Sequence, residues 1–468
     1  MTYREAVAYL RSLVNYEQHR NPEAMRAVEL GRMRQLCRRL GDPQRSFRSV
    51  LVTGTNGKGS ICAMLYSMLR ESSLRVGLYT SPHLEDPRER IRVWTSGAGS
   101  GERVQGEDWI GETAFAALVE QIQSVAERLR AASPQQPLTY FEVFSAIAFL
   151  YFQQQRVEIA VLEVGLGGRL DATNVVDQAV SLIAPIDVDH AEVLGADPVA
   201  IAKEKAGIIK PNQAVITAPQ PPGVMEVLRA AADAQGVPLL TCGGDLTVRI
   251  HRHDLEGLQA SITGLRGIYE SLEIPLLGRH QASNAAMAVG ALEALSTSGV
   301  PSSIVERGLA RAEWPGRFEV IHEAPLVILD VAHNPHAAAA LRETLTELCP
   351  GRHIQLLIGL SADKPAEAMG ELLGGLAGGV TCTKSSHPRA MEPTELAQRL
   401  VPFCADVHVM SDAADALTYL LNAASPSDVI VVTGSLFLVG ELRTALRQSH
   451  AWNRRPAAAA SQRAGVEG

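Results

Sequence analysis

An apolar run that passes through a glycine-rich loop into a helical pattern constrains this chain more than any other feature. The segment SVLVTGTNGKGSICAMLYSMLRE, residues 49–71, brings Gly54, Gly57 and Gly59 close together. Glycines let backbone N–H groups close around phosphate oxygens, and the N-terminus of a following helix favours anions. The segment therefore predicts a phosphate-binding loop at the end of a strand in an α/β fold.

Two further residues of this loop can carry chemistry. Lys58 supplies a point charge for phosphate oxygens, and the Ser60 hydroxyl can hold Mg²⁺. The spacing departs from the usual GxxxxGK[ST] pattern, because Gly59 stands between the lysine and the serine. The alternative is a tight strand–helix turn with an incidental lysine, and the strand and helix on either side favour the phosphate loop.

Short apolar runs alternate with helical patterns along most of the chain, which predicts parallel sheets covered on both faces. Residues 239–277 change to short alternating segments, which suggests an antiparallel patch appended to the first sheet. The glycine-rich, polar segment 95–108 is typical of a loop. We expect an N-terminal domain over 1–313, a smaller C-terminal domain over 314–452 and a disordered tail over 453–468.

Charge and cysteine content exclude several classes of protein. Acidic residues number 51 and basic residues 43, so no overall positive field attracts nucleic acid or anionic membranes. The 6 cysteines form no CxxC pair, which argues against a zinc ribbon and a disulfide scaffold. The N-terminus has no continuous apolar stretch, and no run is long enough for a membrane span. We expect a cytoplasmic protein without nucleic-acid or membrane partners.

Several motifs follow one another in a fixed order through the chain. They include GTNGKGS (54–60), TSPHL (80–84), RERIRV (88–93), LTYFEVFSAIAF (138–149), LEVGLGGRLDATN (162–174), AKEKAGIIKP (202–211), WPGRFEV (314–320), LDVAHNPHA (329–337) and GSLFLVGE (434–441). Together they resemble the folylpolyglutamate synthase/dihydrofolate synthase family of Mur ligases, over roughly residues 28–445. The resemblance implies a phosphate-loop N-terminal domain that binds ATP and folate, and a smaller Rossmann-like α/β domain for glutamate ligation.

Five residues have different interpretations with and without this resemblance. Without it, Phe141 would be a core residue and Arg317 a charged residue of a linker. Glu163 ends an apolar run, where ligands of open α/β sheets bind, although a salt-bridged loop residue is the alternative. His190 could equally be a core histidine, and Lys205 would ordinarily be a solvated helix lysine. The resemblance implies that Ser60 and Glu163 hold one Mg²⁺, that His190 holds a second, and that Lys205 is an N6-carboxylysine.

The resemblance assigns the other site residues in groups. It implies ATP-binding residues Gly54, Thr55, Asn56, Gly57, Lys58, Gly59, Ser60, Asn284, Arg317 and Asp330. It implies substrate-binding residues Thr139, Tyr140, Phe141, Glu142, Leu170, Asp171, Ala172 and Ser435. It implies catalytic roles for Lys58, Lys205 and His333.

The activity that the resemblance implies is ATP-dependent amide-bond formation by a monomer. The substrates would be ATP, L-glutamate and either dihydropteroate or tetrahydrofolate, with an acyl phosphate as intermediate and two Mg²⁺ ions as cofactors. Three alternatives stay open: a folylpolyglutamate synthase only, another Mur-type amino-acid ligase, or a phosphate-loop switch that makes no product. The chain has no evident guanine-specifying NKxD motif, which argues against the switch.

Overall fold

The computed structural model describes residues 1–18, 21, 25, 29–95, 108–132 and 137–448. Among these residues no helix is both long and apolar enough to cross a bilayer. The expected tail at 453–468 lies outside the described residues, as does most of the expected loop at 95–108. The chain divides into two compact units, Met1–Trp314 and Pro315–Gly468.

The first unit is built on a seven-stranded sheet with the order β3-β2-β4-β1-β5-β6-β7. Every neighbouring pair is parallel except β2 and β3, so the mainly parallel sheet predicted from the apolar runs is confirmed. Its strands are β1 (Arg48–Thr53), β2 (Val76–Tyr79), β3 (Ile91–Trp94), β4 (Ile159–Glu163), β5 (Val180–Ile183), β6 (Ala214–Thr217) and β7 (Leu239–Thr241).

Helices and a small second sheet cover this sheet. The helices are α1 (Tyr3–Ser12), α2 (Leu30–Arg39), α3 (Lys58–Leu69), α4 (Glu112–Ala132), α5 (Tyr140–Gln154), α6 (Ala191–Leu194), α7 (Pro198–Ala206), α8 (Pro222–Gln235), α9 (His280–Leu295) and α10 (Ser302–Ala310). Neighbouring side chains of a strand point to opposite faces, so Leu51 of β1 joins a core with α5, while Val50 joins one with α3 and α9.

The antiparallel patch expected at 239–277 differs from the expectation in one respect. Strands β8 (Thr247–Asp254), β9 (Gly257–Thr263) and β10 (Ile268–Ile274) form a three-stranded antiparallel sheet of their own instead of extending the first sheet. Only β7 joins the large sheet. The alternating pattern predicts strands correctly, but the partner of an edge strand depends on contacts that lie far away in sequence.

The second unit contains a six-stranded sheet with the order β11-β12-β16-β13-β14-β15, in which only β11 runs antiparallel to its neighbour. The strands are β11 (Glu319–Glu323), β12 (Leu326–Leu329), β13 (Ile354–Ile358), β14 (Gly379–Cys382), β15 (Val407–Val409) and β16 (Val429–Thr433). The helices are α11 (Pro335–Leu348), α12 (Ala366–Leu373), α13 (Pro393–Leu400), α14 (Ala413–Ala423) and α15 (Leu436–Gln448). The expected second α/β unit is confirmed.

Candidate active site

The glycine-rich loop connects the end of β1 to the start of α3, as the sequence predicts. Gly54 and Gly57 have φ values of +139° and +89°, which residues with a side chain rarely adopt. A Cβ on Gly54 would lie 2.5 Å from the Ala184 side chain, and one on Gly59 would lie 2.6 Å from Trp314 Nε1. Glycine is therefore required at these positions by backbone conformation, by close packing, or by both.

Lys58 and Thr55 hold the loop in its closed shape. Lys58 Nζ donates to the carbonyl oxygens of Gly54 at 3.1 Å and Thr55 at 3.0 Å. The Thr55 hydroxyl donates to the Asp187 carbonyl at 2.8 Å, which ties the loop to the segment after β5. The Lys58 ammonium thus lies over the loop, where a bound phosphate group would replace the carbonyl oxygens as its hydrogen-bond partner.

Asn284 of α9 lies against the same loop. A Cβ on Gly57 would be 2.9 Å from Asn284 Oδ1, and Asn284 Nδ2 donates to Gln281 Oε1 at 3.0 Å. Both amide side chains are buried. A nucleotide held by the loop would therefore have this buried amide beside it.

Lys205 is buried, although its place in a helical stretch suggests a solvated side chain. Only 5% of its surface is exposed, and Nζ donates to the Gly54 carbonyl at 2.7 Å. Burial and, to a smaller extent, the positive charge of Lys58 together lower the pKa of Lys205 to about 7. A large fraction of this amine is therefore neutral near pH 7 and can react as a nucleophile.

Glu163 ends β4, which lies between β1 and β2 in the sheet. Its carboxylate is buried, and Oε2 accepts a hydrogen bond from Ser81 N at 3.1 Å. Ser60 lies buried in the first turn of α3, and the negative charge of Glu163 helps to raise the pKa of Cys62 two residues further on. Ser81, which no sequence motif marks as a site residue by itself, lies beside Glu163 in the structure.

Glu163 and Ser60 suit a magnesium ion whose coordination shell is completed by a nucleotide. No group of three or more histidine, cysteine, aspartate or glutamate side chains with metal-binding geometry occurs among the described residues. Mg²⁺ in nucleotide sites typically takes one or two protein oxygens and completes its octahedron with phosphates and water. The Glu163 carboxylate and a serine hydroxyl match that pattern. His190 follows β5 and has a left-handed conformation, with φ +54°.

The predicted folate-contacting stretch coincides with the start of α5. Thr139 and Glu142 form a capping box, in which the Thr139 hydroxyl accepts from Glu142 N at 3.2 Å and Glu142 Oε2 accepts from Thr139 N at 2.8 Å. Arg32 Nε donates to the other Glu142 oxygen at 3.2 Å. These side chains are thus held by local contacts, and Tyr140 is buried.

Phe141 differs from its neighbours because it is partly exposed. Its ring centroid lies 6.0 Å from that of Tyr79, and a Cβ on Gly165 would be 2.6 Å from the ring. The ring therefore lies where the loops after β2 and β4 meet, next to the end of the sheet. A flat aromatic ring in this position can stack on a heterocycle.

Asp171 shapes the glycine-rich loop after β4. Its carboxylate accepts from the backbone N–H groups of Gly165 and Leu166 at 3.0 Å each and of Thr173 at 2.9 Å. Burial raises the pKa of Asp171 even though these bonds favour the charged form. Of its predicted partners in substrate binding, Leu170 is partly exposed and Ala172 is buried.

In the second unit, Asp330 and His333 follow β12 and Ser435 follows β16, and these two strands are neighbours in the sheet, whereas Arg317 precedes β11. Asp330 accepts from Phe318 N and Ala332 N at 2.8 Å each, and burial raises its pKa while Arg317 opposes that rise. His333 Nδ1 lies 2.8 Å from the Val331 carbonyl. A carbonyl only accepts, so Nδ1 is the donor and a neutral ring carries its lone pair on Nε2.

Ser435 begins the turn into α15, and it is buried with 7% of its surface exposed. Its hydroxyl accepts from Phe437 N at 3.2 Å. Gly434 before it has φ +97°, and a Cβ there would lie 2.6 Å from the Gly359 carbonyl. The turn brings Ser435 to the carboxyl end of β16, the edge at which Asp330 and His333 follow β12.

The structure also reveals polar residues around TSPHL and RERIRV that received no role from the sequence. Arg90 is fully buried, and its guanidinium pairs with Glu17 and donates to His83. Glu89 accepts hydrogen bonds from the backbone N–H groups of Leu84, Glu85 and Asp86 at 2.7, 2.9 and 2.8 Å. The only sequence signal for these contacts was the resemblance of the two motifs themselves.

Comparison with protein families identifies both units. The Mur ligase middle domain matches residues 110–292, and the Mur ligase, glutamate ligase domain matches residues 316–436. The dihydrofolate synthase/folylpolyglutamate synthase of Bacillus subtilis is 34% identical, over 89% of this chain and 95% of that protein. The protein of the same name from Escherichia coli is 32% identical, over 84% of this chain and 85% of that protein.

Solved structures resemble the chain over nearly its full length. A Mycobacterium tuberculosis folylpolyglutamate synthase complexed with ADP and AMPPCP has a TM-score of 0.84 and 31% identity, and the match covers 95% of this chain and 98% of that one. An Escherichia coli FolC structure in complex with DHPP and ADP has a TM-score of 0.81 and 30% identity, with coverage of 96% and 98%.

Proposed function

Because the chain belongs to the dihydrofolate synthase/folylpolyglutamate synthase family of Mur ligases, we propose that it couples L-glutamate to dihydropteroate and to folates at the expense of ATP. The observation that carries this proposal is the agreement between similarity along nearly the whole chain and a closed phosphate loop surrounded by Lys58, Lys205 and Glu163. The enzyme is an ATP-dependent acid–amino-acid ligase.

The reaction has to make a carboxylate electrophilic. The γ-phosphoryl group of ATP passes to a carboxylate oxygen of the acid substrate, which gives ADP and an acyl phosphate. The amine of L-glutamate then attacks the acyl carbon, loses a proton and expels phosphate, so that an amide bond remains. Such a transfer depends on positioning and on charge neutralisation, not on a nucleophilic side chain of the enzyme.

The phosphate loop would hold the nucleotide with residues 54–60 and with Asn284. Its backbone N–H groups bind phosphate oxygens, and the Lys58 ammonium turns from the carbonyl oxygens of Gly54 and Thr55 towards the phosphates. This exchange replaces contacts to neutral carbonyls by contacts to charged oxygens, which are stronger. Lys58 then neutralises charge that develops during the transfer.

Ser60 and Glu163 would hold one Mg²⁺, with Ser81 beside Glu163, and His190 would hold a second. When bound, the two ions neutralise phosphate charge. Lys205, carbamylated on Nζ, would carry a negative charge towards this site in place of a positive one. Its location next to the Gly54 carbonyl and its lowered pKa support that modification.

The acid substrate would bind at the ends of β2 and β4. Phe141 supports this assignment because its ring is partly exposed and lies against Gly165. Thr139, Tyr140 and Glu142 would act through backbone groups and through the fixed start of α5, since their side chains already have partners in the capping box or lie buried. Leu170, Asp171 and Ala172 would form the opposite wall.

In the second unit, Arg317 and Asp330 would contact ATP, and Ser435 would contact the incoming glutamate. His333 would act at the amine, because its Nδ1 donates to the Val331 carbonyl and Nε2 therefore carries the lone pair that can accept a proton. We further propose that the enzyme works as a monomer.

The test is release of phosphate from Mg-ATP by purified protein with L-glutamate and one of three acids: dihydropteroate, tetrahydrofolate or a UDP-muramoyl precursor. Release with both pterins is expected, and it should require glutamate as well as the acid. Release with tetrahydrofolate alone would reduce the function to polyglutamylation, and release with the muramoyl compound alone would overturn the folate assignment. Lys58→Ala is the inactive control.

A further inference from the structure

Arg90 joins three parts of the first unit through a buried set of hydrogen bonds. Its Nη1 and Nη2 atoms donate to Glu17 Oε1 and Oε2 at 2.9 and 2.6 Å, and its Nε donates to His83 Nδ1 at 2.8 Å. The guanidinium is fully buried and lies over the rings of Tyr140 and Phe144, at 5.3 and 5.0 Å from their centroids. This geometry leaves Arg90 little freedom to move.

The bond from Arg90 determines which nitrogen of His83 carries the proton. A guanidinium has no acceptor, so His83 Nδ1 must be the unprotonated nitrogen and the ring proton lies on Nε2. Burial lowers the pKa of His83 to about 3, and the charge of Arg90 acts in the same direction. Arg11 also lowers it, whereas Glu17 and Asp86 oppose the shift. His83 is therefore neutral near pH 7, with its N–H donor on Nε2.

The Nε2–H group of His83 lies at the edge of the sheet where the acid substrate would bind. It lies in the loop after β2, and Ser81 of that loop bonds to Glu163 at the end of β4. Tyr79, the last residue of β2, faces Phe141. His83 is partly exposed, and within the described part of the chain Nε2 has no hydrogen-bond partner.

The sheet order separates this donor from the nucleotide. Strand β4 lies between β2, which leads to His83, and β1, which leads to the phosphate loop. The side chains of Glu163, Asp171 and Glu142 around this end of the sheet are carboxylates, which only accept hydrogen bonds when ionised. An acid substrate carries acceptor oxygens and therefore needs donors there.

We propose that His83 Nε2–H binds an acceptor oxygen of the acid substrate, and that Arg90 and Glu17 are positioning residues that fix the tautomer of His83. The inference rests on the proposed function, because it takes the pteroate-type acid as the ligand. A neutral donor of fixed tautomer binds this oxygen without taking part in proton transfer.

Two substitutions distinguish the roles of the two ring nitrogens of His83. His83→Asn keeps an acceptor oxygen for Arg90 but loses the reach of Nε2, whereas His83→Gln keeps a donor with that reach but loses the acceptor at Nδ1. The loss of one hydrogen bond to the substrate predicts that His83→Asn raises KM for dihydropteroate by up to about tenfold. KM for ATP should change less than about twofold, and His83→Gln should recover part of the loss. His251→Ala, an exposed histidine on β8, is the matched control.

Nitrogen NMR of ¹⁵N-histidine-labelled protein reads the tautomer directly, without turnover. We expect His83 to show a protonated Nε2 and an unprotonated Nδ1 from pH 5 to 8, and its Nε2 signal to move when dihydropteroate is added in the absence of ATP. Arg90→Met, which removes the donor to Nδ1, or Glu17→Gln, which weakens the hold on Arg90, should mix the tautomers and raise KM for the acid with little effect on KM for ATP.

The outcomes divide clearly. Each of three results would overturn the role of His83. These are an unchanged KM for the acid in His83→Asn, an Nε2 signal that does not shift when dihydropteroate is added, and a protonated Nδ1. If the wild-type protein has no activity with either pterin, the proposed function fails instead, and this result is recognisable before any variant is made.

Discussion

Lys205 Nζ donates a 2.7 Å hydrogen bond to the carbonyl oxygen of Gly54, and so joins helix α7 to the phosphate loop. Lys58 Nζ donates to the same carbonyl at 3.1 Å. Two cationic side chains thus converge on one backbone oxygen, and their mutual repulsion adds to the burial that lowers the Lys205 pKa. We expect both the stability of the unmodified protein and the carbamylation proposed for Lys205 to depend on this arrangement.

The first prediction concerns stability and its dependence on pH. The Lys205 pKa is about 7 in the folded chain, whereas a lysine in the unfolded chain has a pKa of about 10.5, so the unfolded chain binds more protons between these values and folding stability rises with pH there. At roughly 1.4 kcal/mol per pKa unit, Lys205→Met should be a few kcal/mol more stable than the unmodified wild type at pH 6.

This advantage should become smaller by pH 9, and urea unfolding at both pH values in buffers free of carbon dioxide measures it. Lys203→Met is the control, because Lys203 is exposed on the same helix and should show no such dependence. A Lys205→Met variant that is less stable than wild type at pH 6, or an advantage that grows with pH, would contradict the prediction.

The second prediction concerns carbamylation. Only the neutral amine attacks carbon dioxide, so formation of a Lys205 carbamate should increase as the pH rises through about 7. Protein equilibrated with ¹³C-bicarbonate should give one carbamate carbon signal in NMR spectra, and Lys205→Ala should remove it whereas Lys203→Ala should not. A signal that persists in Lys205→Ala would place the carbamate on a different amine.

The third prediction concerns Gly59. A Cβ at this position would come within 2.6–2.9 Å of three atoms of the Trp314 indole, so the ring must move. Gly59→Ala should reduce the free energy of unfolding by about 1–3 kcal/mol, as overpacked sites do, and weaken ADP binding. Calorimetric titration with ADP and tryptophan fluorescence measure the two effects.

Gly31→Ala provides the comparison for Gly59→Ala. Gly31 lies in α2, and nothing is found within 4 Å of the position of its Cβ. This variant should bind ADP as wild type does and should lose no stability. Equal ADP affinity in Gly59→Ala and wild type would show that Trp314 moves without disturbing the phosphate loop.

The fourth prediction concerns Glu163. Glu163→Gln keeps an acceptor for Ser81 N but removes the charge, so the fold should persist while the protein loses the carboxylate that we propose binds Mg²⁺. We expect at least about a hundredfold lower kcat, the range found when one strong electrostatic contact is removed from a reacting group. Higher Mg²⁺ should restore part of the rate.

Glu158→Gln is the matched control for Glu163→Gln. Glu158 precedes β4 and also accepts from a backbone N–H group, that of Arg75 at 2.9 Å, but it is exposed. Its substitution should leave kcat within about twofold of wild type, as surface substitutions away from a site usually do. Similar rates for Glu163→Gln and wild type would remove Glu163 from the metal site.

The order of elements and the phosphate loop could be predicted because their signals are local. A strand, three closely spaced glycines and a helix lie within residues 48–69, and apolar runs mark the remaining strands. The contacts between Arg90, Glu17 and His83 could not be predicted, because Arg90 and Glu17 are separated by 73 positions. No periodicity in the sequence connects residues so far apart.

The start of α5 shows a different kind of limit. Thr139 followed three residues later by Glu142, before an apolar run, is the sequence signature of a capping box, and the structure has that box. The resemblance implies that the same residues contact folate, whereas the hydrogen bonds of the structure give their side chains a local role at the start of α5. Lys205 shows the converse, since its helical surroundings suggested exposure and only the packing of α7 under the phosphate loop buries it.

Each glycine of the phosphate loop lies against a different distant residue: Gly54 against Ala184, Gly57 against Asn284 and Gly59 against Trp314. The curvature of the loop therefore depends on contacts with segments that lie more than a hundred residues further along the chain. The heptapeptide GTNGKGS does not determine this shape by itself, so grafting it onto another strand–helix junction would not transfer nucleotide affinity. The shape of this loop therefore depends on the folding of segments as far along the chain as Trp314.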